Sequence, residues 1–252
     1  GRMLEPHEIV EEIGRALSEA SPLRGKKVVI TAGPTREAID PVRFIGNRSS
    51  GRMGFALAAA ARRRGADVTV VAGPVSLPVP YGVEVLSVET AREMLQCVSE
   101  LLPEADVSVF ASAVADYRPA NSSEEKLKRA DVGPEMTLAL AENPDVVGET
   151  RAARKAGSVS VGFALETTSL VENARAKLES KGFDMIVANE AEGEGAGFEV
   201  DTNRVVLLGV DREPEELPLL AKDEVAEMIL DRVSEIVESG AEPSGCVPNR
   251  ET

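Results

Sequence analysis

Apolar residues follow two alternating rhythms along this chain. Short, nearly continuous runs rich in Val, Ile and Ala occur at KKVVITAG (26–33), ADVTVVAG (66–73), VEVLSV (83–88), DVSVFASAV (106–114), SVSVGFAL (158–165) and FDMIVANE (183–190). Runs of that length without polar alternation suit strands buried on both faces. Between them, GRMGFALAAAARRRG, TAREMLQCVSELL, PDVVGETRAARKAG and LVENARAKLESKG carry apolar positions at helical spacing. Two of these end in a basic turn followed by glycine, a helix-stop signal. Such alternation predicts an α/β fold: a Rossmann-like, doubly wound, mainly parallel sheet with right-handed crossovers. Near the end, GFEVDTNRVVLLGVD predicts an antiparallel hairpin turning at TN, and a last helix is expected over about 221–238.

One segment breaks the rhythm. YRPANSSEEKLKRADVGPE (117–135) is polar, charged and long. A structureless loop of that length in a compact domain is a lid or a disordered stretch. It leaves a strand end, where open α/β sheets bind ligands. Its few apolar residues predict mobility without ligand.

Composition narrows the picture. The 252 residues, 43% hydrophobic and 28% charged, suffice for one large α/β domain or two small ones. There is no internal repeat and no apolar run of about 18 residues, so no membrane span is expected. The first ten residues lack the basic-then-apolar order of a signal peptide. The polar tail over 239–252 is expected to be disordered. A formal charge of −15 argues against a nucleic-acid face. It also means that an anionic ligand needs a local positive site. Cys97 and Cys246 have neither disulfide-framework nor metal spacing, which points to a reducing cytoplasm. His7, the only histidine, lies in an amphipathic N-terminal stretch and reads as an ordinary surface residue. Catalysis here must work without a histidine base.

Candidate chemistry gathers after the strand-like runs. In FIGNRSSGRMG (44–54), Asn47, Ser49, Ser50 and Gly51 precede a helix whose free N–H groups and positive dipole end suit a phosphate. A plain serine N-cap is the other reading. ASAVADYRP (111–119) puts Asp116 past a buried strand, as a ligand group or as a turn residue, with small residues before it that leave the backbone open to a flat base. Lys126, Lys128 and Arg129 are a solvated charge run or a lid that closes on phosphates. NPDVV (143–147) and GFALET (162–167) point to the same sheet edge, with Phe163 as core or stacking residue. Lys177 and Lys181 share a helix face. The GxGxxG fingerprint and an acidic residue ending the second strand are both missing, which counts against a dinucleotide cofactor.

Taken together and in order, GPTREAIDPVRFIGNRSSGRMG, ASAVADYRP, NPDVV, VGFALET and FDMIVANE closely resemble phosphopantothenate–cysteine ligase, over about Gly25 to Asp231. The opening GRMLEP resembles the end of the flavin-dependent decarboxylase domain that precedes the ligase in bifunctional coenzyme A enzymes. The resemblance implies a linker or helix over 1–24, a ligase domain over 25–238, and a cytoplasmic homodimer. It implies an amide-forming ligase that activates 4′-phosphopantothenate with CTP and Mg²⁺ through an acyl-cytidylate, then transfers the acyl group to L-cysteine. No flavin is implied in this domain. By motif position, Asn47 contacts the substrate and holds the acyl-cytidylate, and Arg43 contacts phosphopantothenate, in one arrangement from a partner chain. Ser49, Ser50 and Gly51 lie near phosphates. Asp116 meets the nucleotide or its metal, with Ser112 and Ala113 beside the base, and Lys126 is the lid lysine. Pro144, Asp145, Val146, Val147, Phe163, Lys177 and Lys181 match nucleotide-binding positions. Ser112 stands where the family more often has Ala, and Arg52 where it often has Lys. The rival classes are an NAD(P)-binding Rossmann oxidoreductase and a non-catalytic nucleotide-binding regulator.

Overall fold

The computed structural model describes residues 3–166, 169–190 and 202–240. All six apolar runs form strands: β1 (Lys27–Ala32), β4 (Asp67–Ala72), β5 (Glu84–Ser87), β6 (Val107–Phe110), β9 (Val159–Glu166) and β10 (Met185–Glu190). They pair parallel throughout. With β12 (Val205–Gly209) and β13 (Glu215–Glu216) added antiparallel, the sheet order among the described residues is β13-β12-β10-β9-β6-β1-β4-β5. The chain therefore starts in the middle, winds to one edge, returns, and winds to the other. The order reverses between β1 and β6, and ligands of open α/β sheets bind at that switch point.

Period-two alternation sorts each strand's side chains between two layers. Val28 and Ile30 pack with Leu57 and Ala61 of α2 (Arg52–Arg63) and with Val225 and Ile229 of α7 (Lys222–Ser239). Val29 and Val71 face the other way, toward Met94 and Val98 of α3 (Ala91–Leu101) and Leu178 of α6 (Leu170–Lys181). Each such buried Val, Leu or Ile contributes about 1.5–3 kcal/mol relative to exposure. The alanine-rich α2 sits unusually close to β1, because a Cβ on Gly54 would stand 2.6 Å from that of Ala32. At the N-terminus α1 (Pro6–Leu17) crosses α2 through Glu11–Arg63 and Glu12–Arg62 pairs. The side chain of His7 lies outside the described residues.

Three expectations need correction. The helix expected over 144–157 is only α5 (Val146–Thr150) and a 3-10 turn, Arg151–Ala153. Arg154 is extended (ψ 137°), and its guanidinium lies over the rings of both Phe110 and Phe183 while donating to the carbonyl of Gly182, 2.8 Å away. It thereby caps the C-terminus of α6, where cations are favoured. Burial first, then Arg151, lowers its pKa to about 10, so it stays charged at neutral pH.

The TN pair is not a turn. Thr202–Asn203 forms β11, antiparallel to β14 (Leu220–Ala221) just before α7. The antiparallel hairpin is instead β12–β13, and the expected arm over 197–201 lies outside the described residues. The tail over 241–252 lies outside them too.

The segment over 117–135 is not structureless. It opens with β7 (Tyr117–Pro119), paired antiparallel with β8 (Leu140–Glu142), and contains α4 (Arg129–Val132). This arm rests against a second hairpin, β2 (Arg36–Ala38) and β3 (Phe44–Gly46), inserted after β1. The buried Asp40 explains the docking. It accepts from the Val42 and Arg43 amides at 2.8 Å, the Arg43 guanidinium, and the Leu127 amide at 3.1 Å. Arg43 above all, against the opposing effect of burial, holds that carboxyl well below the usual range. The Ser123 amide N–H donates to the Ile39 carbonyl, 2.9 Å. Polar contacts thus order a segment that has too few apolar residues to order itself. No helix among the described residues is long and apolar enough to cross a membrane.

Candidate active site

β1 leaves the sheet at Gly33 (φ +75°), the β2–β3 hairpin intervenes, and the chain returns at Gly51 (φ +75°) to begin α2. A Cβ on Gly51 would lie 3.5 Å from the Gly33 Cα and 2.8 Å from a Val75 methyl. Gly54 follows one turn into the helix. The three glycine roles of a Rossmann phosphate turn are present in space, with a hairpin inserted between the first and second.

The loop after β6 runs alongside this turn. Ala111 and Ala113 donate to the carbonyls of Thr31 and Gly33 at 3.2 and 2.8 Å. The buried Thr31 and Thr35 hydroxyls accept from the amides of Ser112 and Ala115 at 3.2 and 2.9 Å. Asn47 closes the mouth, its side-chain amide donating to the Val114 carbonyl, 2.8 Å. On the far side the buried Asn143 donates to the carbonyls of Ala115 and Asp116, each 2.8 Å. Asp116 is therefore presented by a loop fixed from three directions.

Two cavities flank this loop, of 580 and 600 Å³. The first, beneath α2 and α7, holds Asn47, Ser49, Ser50, Gly51 and Ala113. The second, beside α5 and α6, holds Pro144, Asp145, Val146, Val147 and Lys181. Ser112, Asp116, Phe163 and Lys177 line both. Lys177 donates to the Phe163 carbonyl at 2.8 Å. Lys181 pairs with Asp145, which also caps α5 by accepting from Gly148 at 3.1 Å. Burial opposes ionisation of Asp145, but Lys181 and Gly148 together keep its carboxyl below its ordinary pKa.

Arg43 and Lys126 line neither cavity. Both belong to the docked hairpin and arm: the Arg43 guanidinium donates to the Leu127 carbonyl, 2.7 Å, and exposed Lys126 is the residue before it. The structure adds residues that sequence reasoning passed over. Asn189, Asn203 and Lys222 line the α2/α7 cavity, Asn203 only 2% and Lys222 only 8% exposed. The side-chain carbonyl oxygens of Asn189 and Asn203 are buried with no hydrogen-bond donor among the described residues. Two signals were available: a lysine at the first position of a helix opposes the dipole, and an asparagine closes the apolar run of β10.

A doubly wound, mainly parallel sheet with a glycine-lined helix mouth and a small-residue loop at its switch point defines a Rossmann-like α/β domain. More particularly, residues 23–237 match the DNA/pantothenate metabolism flavoprotein C-terminal domain, and the chain belongs to that family. It is 44% identical over 237 residues to the coenzyme A biosynthesis bifunctional protein CoaBC of Vibrio vulnificus, covering 94% of this chain and 59% of that protein. The Bacillus subtilis protein of the same name is 42% identical over 247 residues, with 97% and 60% covered. The chain thus spans about three fifths of the length of these curated relatives. A crystal structure of the C-terminal domain of a CoaBC protein superimposes with TM-score 0.73 at 39% identity, covering 87% of this chain and 99% of that one.

Proposed function

We propose that this domain is a phosphopantothenate–cysteine ligase of coenzyme A biosynthesis, which activates 4′-phosphopantothenate with CTP and joins it to L-cysteine. The observation that carries the reading is the meeting, in one cavity, of Asn47 and the Ser49–Gly51 helix mouth with the Ser112–Asp116 loop and Lys177. Family membership and the CoaBC relatives support the same reading.

A carboxylate oxygen of phosphopantothenate attacks the α-phosphorus, and pyrophosphate leaves with the electron pair. This needs alignment and charge neutralisation more than a base, which suits a site without histidine. Asn47 holds the acid beside the α2 mouth, the lysines face the phosphates, and Ser112, Ala113 and Phe163 border the base. Cysteine's amine then attacks the acyl carbon, the acyl C–O bond breaks, CMP leaves, and the amine proton passes to solvent. Among the described residues no group of three His, Cys, Asp or Glu side chains is placed to hold a metal ion. Asp116 alone, together with phosphate oxygens and water, fits magnesium arriving on the nucleotide. The ion would neutralise phosphate charge.

The same reading assigns a homodimer in the cytoplasm, and in the whole protein a flavin-dependent decarboxylase domain ahead of this one. Exposed Val42, Phe44, Tyr117 and Leu140 on the two adjoining hairpins offer the apolar surface for a second copy. Arg43, remote from its own cavities, would then serve the partner's site.

The deciding assay measures pyrophosphate release from each of the four nucleoside triphosphates, with phosphopantothenate and with or without cysteine. CTP should give the highest specificity constant, because a site built to hydrogen-bond one base edge rejects others strongly. An equal or better constant for ATP would remove the nucleotide assignment. No release with any nucleotide would remove the ligase, and binding of NAD in a titration would favour an oxidoreductase.

A further inference from the structure

Asn143 is only 7% exposed, yet it lines the α5/α6 cavity. It stands where the arm rejoins the domain. Tyr117 of β7 lies opposite Glu142 of β8, so Asp116 and Asn143 form the base of that excursion. The Asn143 backbone N–H donates to the Asp116 carbonyl at 2.8 Å and adds one rung to the ladder. Its side-chain amide donates to the Ala115 carbonyl, also at 2.8 Å. Its side-chain oxygen accepts from Arg118 of β7 at 3.3 Å, and Arg118 donates to the Glu142 carbonyl as well. The next residues, Pro144 and the α5 cap Asp145, begin the opposite wall of the same cavity.

A buried side chain that must donate and accept at once restricts the residue type. An ionised aspartate could only accept, and an apolar residue would take the donor away from the Ala115 carbonyl. A satisfied buried clamp of this kind is ordinarily structural. This one joins two walls of a cavity, the small-residue loop after β6 and the mouth of α5. We propose that Asn143 is a positioning residue for the nucleotide: it fixes the gap between the Ser112–Asp116 loop and the Pro144–Val147 wall, and so sets how strictly one base is chosen over the others. This rests on the ligase reading above, in which the base lies against Ser112 and Ala113. Choice between bases needs hydrogen-bonding groups held at a fixed distance from the base edge. A displacement of about 1 Å in such a wall costs on the order of 100-fold in rate. Asn143 makes and breaks no bond. It is also absent from the α2/α7 cavity, where Asn47 stands, so the acid is held without it. Arg118 extends the clamp outward, which makes the base of the arm and the nucleotide wall one piece.

The test uses the purified chain and measures cysteine-independent pyrophosphate release from CTP, UTP, ATP and GTP. Asn143→Ala should lower the specificity constant for CTP roughly 10- to 100-fold. It should also shrink the ratio between CTP and the next-best nucleotide by about five-fold or more. The KM values for phosphopantothenate and for cysteine should stay within about two-fold of wild type, because neither is held by this wall. Asn143→Asp keeps the shape and the acceptor for Arg118 but loses the donor to Ala115, and should match Asn143→Ala. Arg118→Gln leaves that donor in place and should shrink the ratio by only about two- to three-fold. A clamp that merely supports the fold would weaken all four nucleotides alike. The proposal is therefore overturned by a folded Asn143 variant with the wild-type nucleotide ratio, or by equal rises in all three KM values. Should both Asn143 variants fail to fold, half-buried Arg118 decides, and an unchanged ratio in Arg118→Gln overturns the proposal. A wild-type protein that releases no pyrophosphate from any nucleotide overturns the ligase reading itself, a different result from a ligase whose selectivity ignores Asn143.

Discussion

On the α5/α6 side of the sheet edge, the polar groups are already engaged with one another: Lys181 pairs with Asp145, which also accepts from the Gly148 amide. On the α2/α7 side, the buried oxygens of Asn189 and Asn203 have no donor among the described residues. The two cavities share a loop and are nearly equal in volume. They differ in what a ligand must do on arrival. On the α5/α6 side it must displace internal partners, so net affinity per contact is modest. On the α2/α7 side it meets the mouth of α2, where the helix dipole itself favours an anion.

The largest test falls on the unsatisfied side. Asn47→Asp replaces an amide donor with a carboxylate that faces the Val114 carbonyl, beside an anionic ligand. Turnover should drop about 100-fold or more, while the melting temperature moves by no more than about 2–4 °C. Steady-state kinetics and a thermal melt check this, and near-normal turnover would take Asn47 out of the site.

Gly54→Ala asks whether the α2 mouth depends on close packing. With 2.6 Å to the Ala32 Cβ, overpacking should cost about 1–3 kcal/mol, read in denaturant unfolding. A neutral result would mean that α2 can ride up on β1 without consequence.

Lys181→Gln probes the satisfied side. It removes a cation that a phosphate would borrow from Asp145, and the Kd for CTP by calorimetry should rise about ten-fold. A loss as large as that at Asn47 would erase the contrast between the two cavities.

The smallest effect concerns Asp40. Its carboxyl sits lower in the folded protein than in the unfolded chain, so its contribution is present above the ordinary carboxylate range, near pH 4, and is lost as pH falls below it. Asp40→Asn should therefore lower the melting temperature slightly at pH 7, and by a smaller margin at pH 3. It should also speed protease cleavage within 117–135. CTP should slow that cleavage if Lys126 meets phosphate. Equal rates with and without CTP would leave the arm no part in closure.

The sheet was legible because each parallel strand is a short apolar run with nothing else it could be. The glycine fingerprint was not legible, because Gly33 and Gly51 meet only after the β2–β3 hairpin folds between them. What reads as a missing motif is an interrupted one. The rival dinucleotide reading still lacks its ribose carboxylate: β4 runs from Ala72 into Gly73, where a Cβ would lie 1.7 Å from the Pro34 carbonyl oxygen. The arm was misread as free because nothing in the sequence marks its partner, Asp40, as buried. Thr202 and Asn203 looked like a turn for the same kind of reason. Turn-forming residues are also the ones that serve when a short backbone must carry a polar side chain into a buried place. Arg43 was singled out by family resemblance alone and Lys126 by its charge run as well, and they lie on the hairpin and the arm, outside the two cavities.

The hairpin inserted between Gly33 and Gly51 turns the phosphate mouth into a transmission. Its outer tip carries Val42 and Phe44 to the surface, its side grips the arm through Asp40 and Arg43, and its inner end runs within a residue of Asn47. In the proposed dimer, a push on the tip by a second copy would have only a short, hydrogen-bonded backbone in which to dissipate before it reached the asparagine proposed to hold the acid. Specific activity should then depend on enzyme concentration, falling on dilution under conditions where the fold, followed by far-ultraviolet circular dichroism, stays intact. Assembly would act here as a tuning screw on the geometry of a single asparagine.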